Sequence, residues 1–75
     1  MMNVDARVAK ILSLALNRAV DAKDEIKVGT PPEWDSLKQI EIMLLIEEEF
    51  STQIPPQKVA ELVSQRQLIQ YLGSL

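Results

Sequence analysis

The sequence contains no cysteine and no histidine among its 75 residues. Their absence excludes disulfides, thiolate or imidazole metal sites, a cysteine nucleophile and a histidine general base. The length is also small, because one domain covering 1–75 leaves little room for a catalytic cleft together with its scaffold. We therefore expect a single domain that is not itself an enzyme and that holds no metal.

Excess positive charge and long apolar runs are also missing. The net charge is −3 and no basic stripe offsets it, which argues against nucleic acid as the main partner. No apolar run approaches the length of a membrane span, and residues 1–5 do not resemble the start of a signal peptide. The expected protein is a cytoplasmic monomer that does not insert into membranes.

The first part of the chain predicts one helix followed by a long connection. Asn3 or Asp5 can cap the helix. Its apolar stripe consists of Val4, Val8, Ile11, Leu12, Ala15 and Ala19. The helical period is lost from about 20 to 34, where Ile26 and Val28 are expected to turn inward on alternate positions and fix the connection.

Three more helices are predicted after this connection. Pro31 and Pro32 keep the chain out of helix until a long second helix begins near Ser36. Pro56 can start a brief third helix, whose expected buried edge is Val59, Leu62 and Val63. Ser64 to Gln67 form a capping box for a last helix with Leu68, Ile69 and Leu72 inward and Gly73 available to end it. The predicted fold is all-α: a small four-helix bundle with three main helices, a short third helix and a long loop between helices 1 and 2.

The start of the second helix is the first candidate site. Ser36 and Gln39 fit a capping box, which is a purely structural interpretation. Asp35 can instead be the N-cap and place Ser36 at the first helical position. The hydroxyl would then be free beside unpaired N–H groups and the positive end of the helix dipole, where a phosphate ester is electrostatically favoured. Both interpretations remain open at this point.

The second helix has two apolar sides. At about 100° per residue, the core side consists of Ile42, Met43, Ile46 and Phe50. The opposite side combines apolar and acidic residues: Leu37, Ile40, Glu41, Leu44 and Glu48. If the helix were buried all round, these carboxylates would lie buried without partners, so the pattern favours a partner protein. The run 47–49 is acidic and opposes the helix dipole, which stability alone would not select but a basic partner would use.

These residues resemble the acyl carrier proteins. Asp35-Ser36-Leu37 is similar to the family's Asp-Ser-Leu attachment motif, and Glu41 followed by 47–50 is similar to its acidic second helix. Ile54-Pro55, 59–62 and 68–72 occur at the family's spacing, so the resemblance covers nearly the whole chain. Trp34 departs from the commonest pattern, which has a small residue there. Four further residues depart from the common pattern: Lys38 lies on the flank of the acidic side, and the common form is acidic at the positions of Ser51, Gln53 and Pro56. These departures favour a carrier for a specialised pathway.

The resemblance implies a covalent 4′-phosphopantetheine on Ser36, capped and oriented by Asp35 and flanked by Leu37. Its thiol would hold acyl intermediates as thioesters for enzymes of fatty-acid or related biosynthesis. The partners would be a phosphopantetheinyl transferase and acyl-transferring or acyl-modifying enzymes with basic docking surfaces. Trp34 would either lie over the loop and fix the start of the helix or flank the arm.

Two residue sets follow from the same resemblance. The partner surface would consist of Leu37, Ile40, Glu41, Leu44, Glu47 and Glu48. An internal pocket for the acyl chain would be lined by Met43, Ile46, Ile54, Val59, Leu62 and Ile69. Two alternatives stay open, namely a specialised carrier of aminoacyl or other non-fatty acyl groups and a helical adaptor that is never modified.

Overall fold

Four helices form the structure, a computed structural model that describes residues 3–75. They are α1 (Val4–Leu16), α2 (Ser36–Phe50), α3 (Pro56–Val59) and α4 (Gln65–Gly73). Within 3–75 there are isolated bridges but no strand, so the predicted all-α bundle with a short third helix is confirmed. Met1 and Met2, which belong to the stretch inspected for a signal peptide, lie outside the described residues.

Helix α1 starts as predicted and ends earlier than predicted. The Asn3 side chain accepts a hydrogen bond from Ala6 N at 2.9 Å, which satisfies one of the unpaired amides of the first turn. The helix ends because Asn17 adopts the left-handed conformation, with φ 52°, which asparagine tolerates better than most residues. Ala19 therefore lies beyond the helix and is exposed, and Leu16 is buried in its place.

The core lies between α1, α2 and α4. Helix α1 packs against both α2 and α4, while α3 packs against α2. The core side chains are Val8, Ile11, Leu12, Ala15, Leu16, Trp34, Ile42, Met43, Ile46, Ile54, Leu62, Leu68 and Leu72. Burial of one such large side chain contributes about 1.5–3 kcal/mol, so this cluster is the main source of stability. Phe50 is only partly buried, at the edge of the core.

The connection between α1 and α2 is fixed mainly by Trp34, whose side chain is completely buried. Ile26 is partly buried against the core, as predicted. Val28 is 38% exposed, so its predicted inward position is wrong. Its backbone explains the difference, because Val28 N–H donates to Val63 O at 2.9 Å and Lys27 pairs with Thr30 across a tight turn that includes Gly29 at φ +89°. The Thr30–Pro31 peptide bond is cis.

The last third of the chain follows the predicted order with two differences. Pro56 occupies the start of α3, as expected, but Val63 is 37% exposed and does not belong to a buried edge. Ser64 Oγ caps α4 by accepting a hydrogen bond from Gln67 N at 3.1 Å. Gln67 Oε1 accepts from Val63 N and not from Ser64 N, so only half of the predicted capping box forms. Gly73 is the last residue of α4. None of the helices described in 3–75 has the length and apolar character needed to cross a membrane.

Candidate functional site

Asp35 caps α2 and leaves Ser36 as the first helical residue. Asp35 Oδ1 accepts from Lys38 N at 2.9 Å, and Asp35 O accepts from Gln39 N at 2.8 Å. Asp35 itself is extended, with φ −110° and ψ −170°, as N-cap residues usually are. Of the two interpretations of this segment, the structure therefore supports an aspartate cap, and the Ser36–Gln39 capping box does not form.

The Ser36 side chain is exposed and is not used by the fold. Within residues 3–75, neither the Ser36 hydroxyl nor the backbone N–H groups of Ser36 and Leu37 take part in a hydrogen bond. These groups lie at the positive end of the helix dipole, where an anion is stabilised. The site thus offers a hydroxyl that can be esterified and two amides that can face a phosphate, so a phosphodiester fits it.

Directly beneath this site, Trp34 and Gln39 form a buried pair. Trp34 Nε1 donates to Gln39 Oε1 at 2.6 Å, and Gln39 Nε2 donates to Val59 O at 2.9 Å and to Leu62 O at 2.8 Å. A completely buried indole has no surface to offer an arm, so Trp34 fixes the start of the helix and does not flank the arm. From the sequence, Gln39 was considered only for a capping box, although the spacing of α2 indicated a buried position: residue 39 precedes Ile42 by three residues.

The opposite side of α2 faces solvent, as predicted. Leu37, Ile40 and Leu44 are 78%, 55% and 60% exposed, and Glu41 and Glu48 lie among them. Lys38 Nζ pairs with the Glu41 carboxylate at 3.0 Å, so a positive charge borders this side of the helix. The structure therefore brings five of the six predicted partner-surface residues into one exposed strip of mixed apolar and acidic character, while Glu47 stands at its edge.

The acidic run at the end of α2 serves the fold more than the sequence indicates. Glu47 Oε2 accepts from Ile54 N at 2.7 Å and so holds the following loop. Arg7 pairs with Glu49 Oε2 at 3.1 Å, donates to Glu49 O at 2.9 Å and lies 4.1 Å from the centre of the Phe50 ring. Glu47 and Glu49 therefore both make internal contacts, which act against the unfavourable position of their charges at the negative end of the helix dipole.

The six residues predicted to line an acyl pocket are divided between the packed core and its edge. Met43, Ile46, Ile54 and Leu62 are buried core residues, and Val59 is partly buried beside them. Ile69 is also partly buried, and it lines a surface depression of about 320 Å³ between α4 and the loop that follows α1. An acyl chain entering the core would have to displace packed side chains.

Within residues 3–75 no His, Cys, Asp or Glu cluster could hold a metal ion, and no side chain hydrogen-bonds to the Ser36 hydroxyl to activate it. The structure thus combines a small helical bundle with an unengaged serine at the start of a helix.

A family model described as "Phosphopantetheine attachment site" matches residues 34–72, which is more than half of the chain. The protein belongs to this family, so the resemblance noted from the sequence is confirmed. Proteins of the family bear 4′-phosphopantetheine covalently on a serine, and this chain is accordingly a phosphopantetheine-carrying protein of the acyl carrier type.

Proposed function

We propose that Ser36 is the serine that bears the arm and that the protein carries acyl groups between enzymes of fatty-acid or related biosynthesis. The matched segment contains three serines. Ser51 is the left-handed C-cap of α2, at the negative end of that helix, and Ser64 Oγ caps α4. Ser36 alone among them is exposed at a positive helix end with a hydroxyl that the fold does not use, and this observation carries the proposal.

The residues around Ser36 position the group without reacting. When attached, phosphopantetheine supplies a terminal thiol, which the cysteine-free chain lacks, and this thiol carries acyl groups as thioesters. Asp35 keeps the first turn capped whether or not the serine is modified, because its hydrogen bond goes to Lys38 N. The free amides of Ser36 and Leu37 favour the phosphate charge. Ser36 itself is an attachment point and not a nucleophile toward cargo.

The exposed strip of α2 is the proposed docking surface for partner enzymes. Leu37, Ile40 and Leu44 offer apolar area, while Glu41 and Glu48 supply negative charge. Such a surface fits the basic docking faces of a phosphopantetheinyl transferase and of acyl-handling enzymes, since complementary charge speeds and orients encounter. We propose a cytoplasmic setting for these encounters.

Intact mass after incubation with coenzyme A and a phosphopantetheinyl transferase tests the proposal. The wild-type mass should rise by one phosphopantetheine, and Ser36→Ala should abolish the gain while melting near wild type, because the Asp35 cap remains. The matched control is Ser51→Asn, because asparagine tolerates the left-handed conformation of this C-cap. This variant should be modified normally. A gain that persists in Ser36→Ala would refute the assignment, and an unmodified wild type would favour a helical adaptor.

A further inference from the structure

Gln39 occupies an unusual position for an amide side chain. It lies on the buried side of α2, only 8% exposed, one helical turn after the serine. Residues three apart lie on adjacent turns of a helix, so Gln39 is one turn from the serine, on the buried side of the same helix. Its carboxamide spans the gap between α2 and the segment formed by α3 and Leu62, to which it donates two hydrogen bonds.

The orientation of this carboxamide is determined by its partners. Trp34 Nε1–H can only donate, and the carbonyl oxygens of Val59 and Leu62 can only accept. Only one orientation of the Gln39 amide satisfies all three groups, with Oε1 toward the indole and both Nε2 protons toward the carbonyls. The indole N–H and the two carbonyls therefore all depend on the Gln39 amide for these hydrogen bonds.

We propose that Gln39 closes the interior of the bundle to cargo held on Ser36, so that acyl groups on the resting protein remain outside the core. This inference rests on the proposed attachment at Ser36 and adds a substrate class to it, namely short or polar acyl groups. Gln39 is thus a specificity-determining residue, although it contacts neither the serine hydroxyl nor the thiol.

The contacts of Gln39 with the core support this assignment. Met43 and Leu62, two of the residues predicted to line an acyl pocket, belong to the packed core, and the Leu62 carbonyl is one of the two acceptors of the Gln39 amide. Trp34 fills the space next to the amide on the side of the connection and is completely buried. The Gln39 amide bonds α2 to the last residue of α3 and to Leu62, so a chain tethered to Ser36 that entered the bundle between these segments would have to break those bonds.

Opening that gap leaves several buried polar groups without partners. If the Gln39 side chain moves, the indole N–H and the Val59 and Leu62 carbonyls lose their hydrogen bonds at once, and unpaired buried groups are costly. An acyl chain offsets this cost only by burying methylene groups, each of which contributes a modest amount. A short chain has too few of them, and a polar one adds a desolvation cost of its own.

The test compares acyl forms of the protein in which cargo length is the variable. Acetyl- and octanoyl-phosphopantetheine are transferred onto Ser36 from the corresponding coenzyme A thioesters, with loading verified by intact mass. The readouts are the melting temperature and the NMR resonance of the Trp34 Nε1 proton, which reports directly on the bond to Gln39 and comes from the sole tryptophan. For wild type we expect the octanoyl form to match the unacylated form in both.

For variants of Gln39 we expect the melting temperature to depend on the length of the acyl chain. Gln39→Ala removes the closing side chain, so its octanoyl form should melt several degrees above its acetyl form. Gln39→Met keeps the volume without the hydrogen bonds and should show the same trend in case the alanine variant does not fold. The matched control is Gln65→Ala, which removes a buried glutamine that bonds Asp21 O instead, and which should leave the octanoyl and unacylated forms equal.

Three results would overturn the inference. A wild-type octanoyl form that melts higher, or that shifts the Trp34 Nε1 proton, shows that cargo passes Gln39. Gln39 variants without a chain-length effect show that another residue keeps cargo out. Absence of any mass gain overturns the attachment at Ser36 and this inference together, whereas the first two results leave the attachment intact.

Discussion

The two ends of α2 are both held in place by side-chain contacts, but the contacts differ in kind. At the C-terminal end, Arg7 donates to Glu49 O, and the amides of Ser51 and Thr52 both donate to Glu47 O. At the N-terminal end, Trp34 and Gln39 fix the first turn from below. There the first amides and the Ser36 hydroxyl stay unengaged within the described residues.

The comparison shows that a helix end can be held in place by buried contacts while its surface polar groups stay available. At the C-terminal end, the Glu47 carboxylate and the Glu47 and Glu49 carbonyls make internal contacts that stabilise the bundle. The N-terminal end is held by buried contacts instead, which leaves its surface groups available at a well-defined position. A rigid support beneath a free functional group is the arrangement that precise modification requires.

The largest effect on stability is expected from removal of the buried support at the N-terminal end. Trp34→Ala should lower the free energy of unfolding by about 3–5 kcal/mol, because it leaves a cavity and an unpaired Gln39 oxygen. Urea denaturation followed by circular dichroism measures this loss. Trp34→Phe is the control, since it keeps most of the volume and should lose roughly 1–3 kcal/mol. A loss below about 1 kcal/mol for Trp34→Ala would show that the indole is not the main support.

A smaller effect is expected at the other end. Arg7→Ala removes an ion pair, a hydrogen bond to a helix carbonyl and a cation–π contact, all partly exposed, and should cost about 1–2 kcal/mol. The rate of phosphopantetheine transfer should not change. Arg66→Ala is the matched control, because its pair with Glu25 is largely exposed and should contribute close to nothing. Equal losses of stability in the two variants would show that Arg7 contributes no more than an exposed ion pair.

The smallest effect on stability, with a selective effect on function, is expected on the exposed strip. Glu48→Lys should reduce kcat/KM for the transferase by roughly threefold to tenfold at low salt, and added salt should shrink the difference. Stability should stay within about 0.5 kcal/mol or rise slightly, since a cation near the helix C-terminus is favourable. Glu25→Lys changes the net charge equally at a site off the strip and serves as the control. If both variants slow transfer alike, net charge and not docking is responsible.

Local patterns predicted the parts of the structure that depend on local interactions. The proline start of α3 and the exposure of Leu37, Ile40 and Leu44 follow from neighbours within one or two turns. The aspartate cap is one of the two arrangements that the local sequence allowed. The proposal that Ser36 bears the arm also rests on local sequence, because it depends on the residues next to Ser36 and on the helix that it begins.

The parts that escaped prediction depend on distant residues. Gln39 was assigned to a capping box, and its true acceptors lie 20 and 23 residues away. Arg7 and Glu49 are 42 residues apart, so the sequence alone did not reveal that this carboxylate has a partner. Val28 turns outward because its amide bonds Val63, a pairing that alternation within the loop cannot reveal. In each case a tertiary hydrogen bond overrode a plausible local pattern.

The distance along the chain between Gln39 and its acceptors also has a consequence for biosynthesis. Ser36 is synthesised before Leu62, which follows Gln39 by 23 residues and is needed for the buried contacts beneath the serine. A nascent chain that ends before α3 therefore carries the whole Asp35-Ser36-Leu37 motif without the two carbonyls that hold the Gln39 amide. The transferase proposed for Ser36 would meet the complete site only after the chain has folded through Leu62.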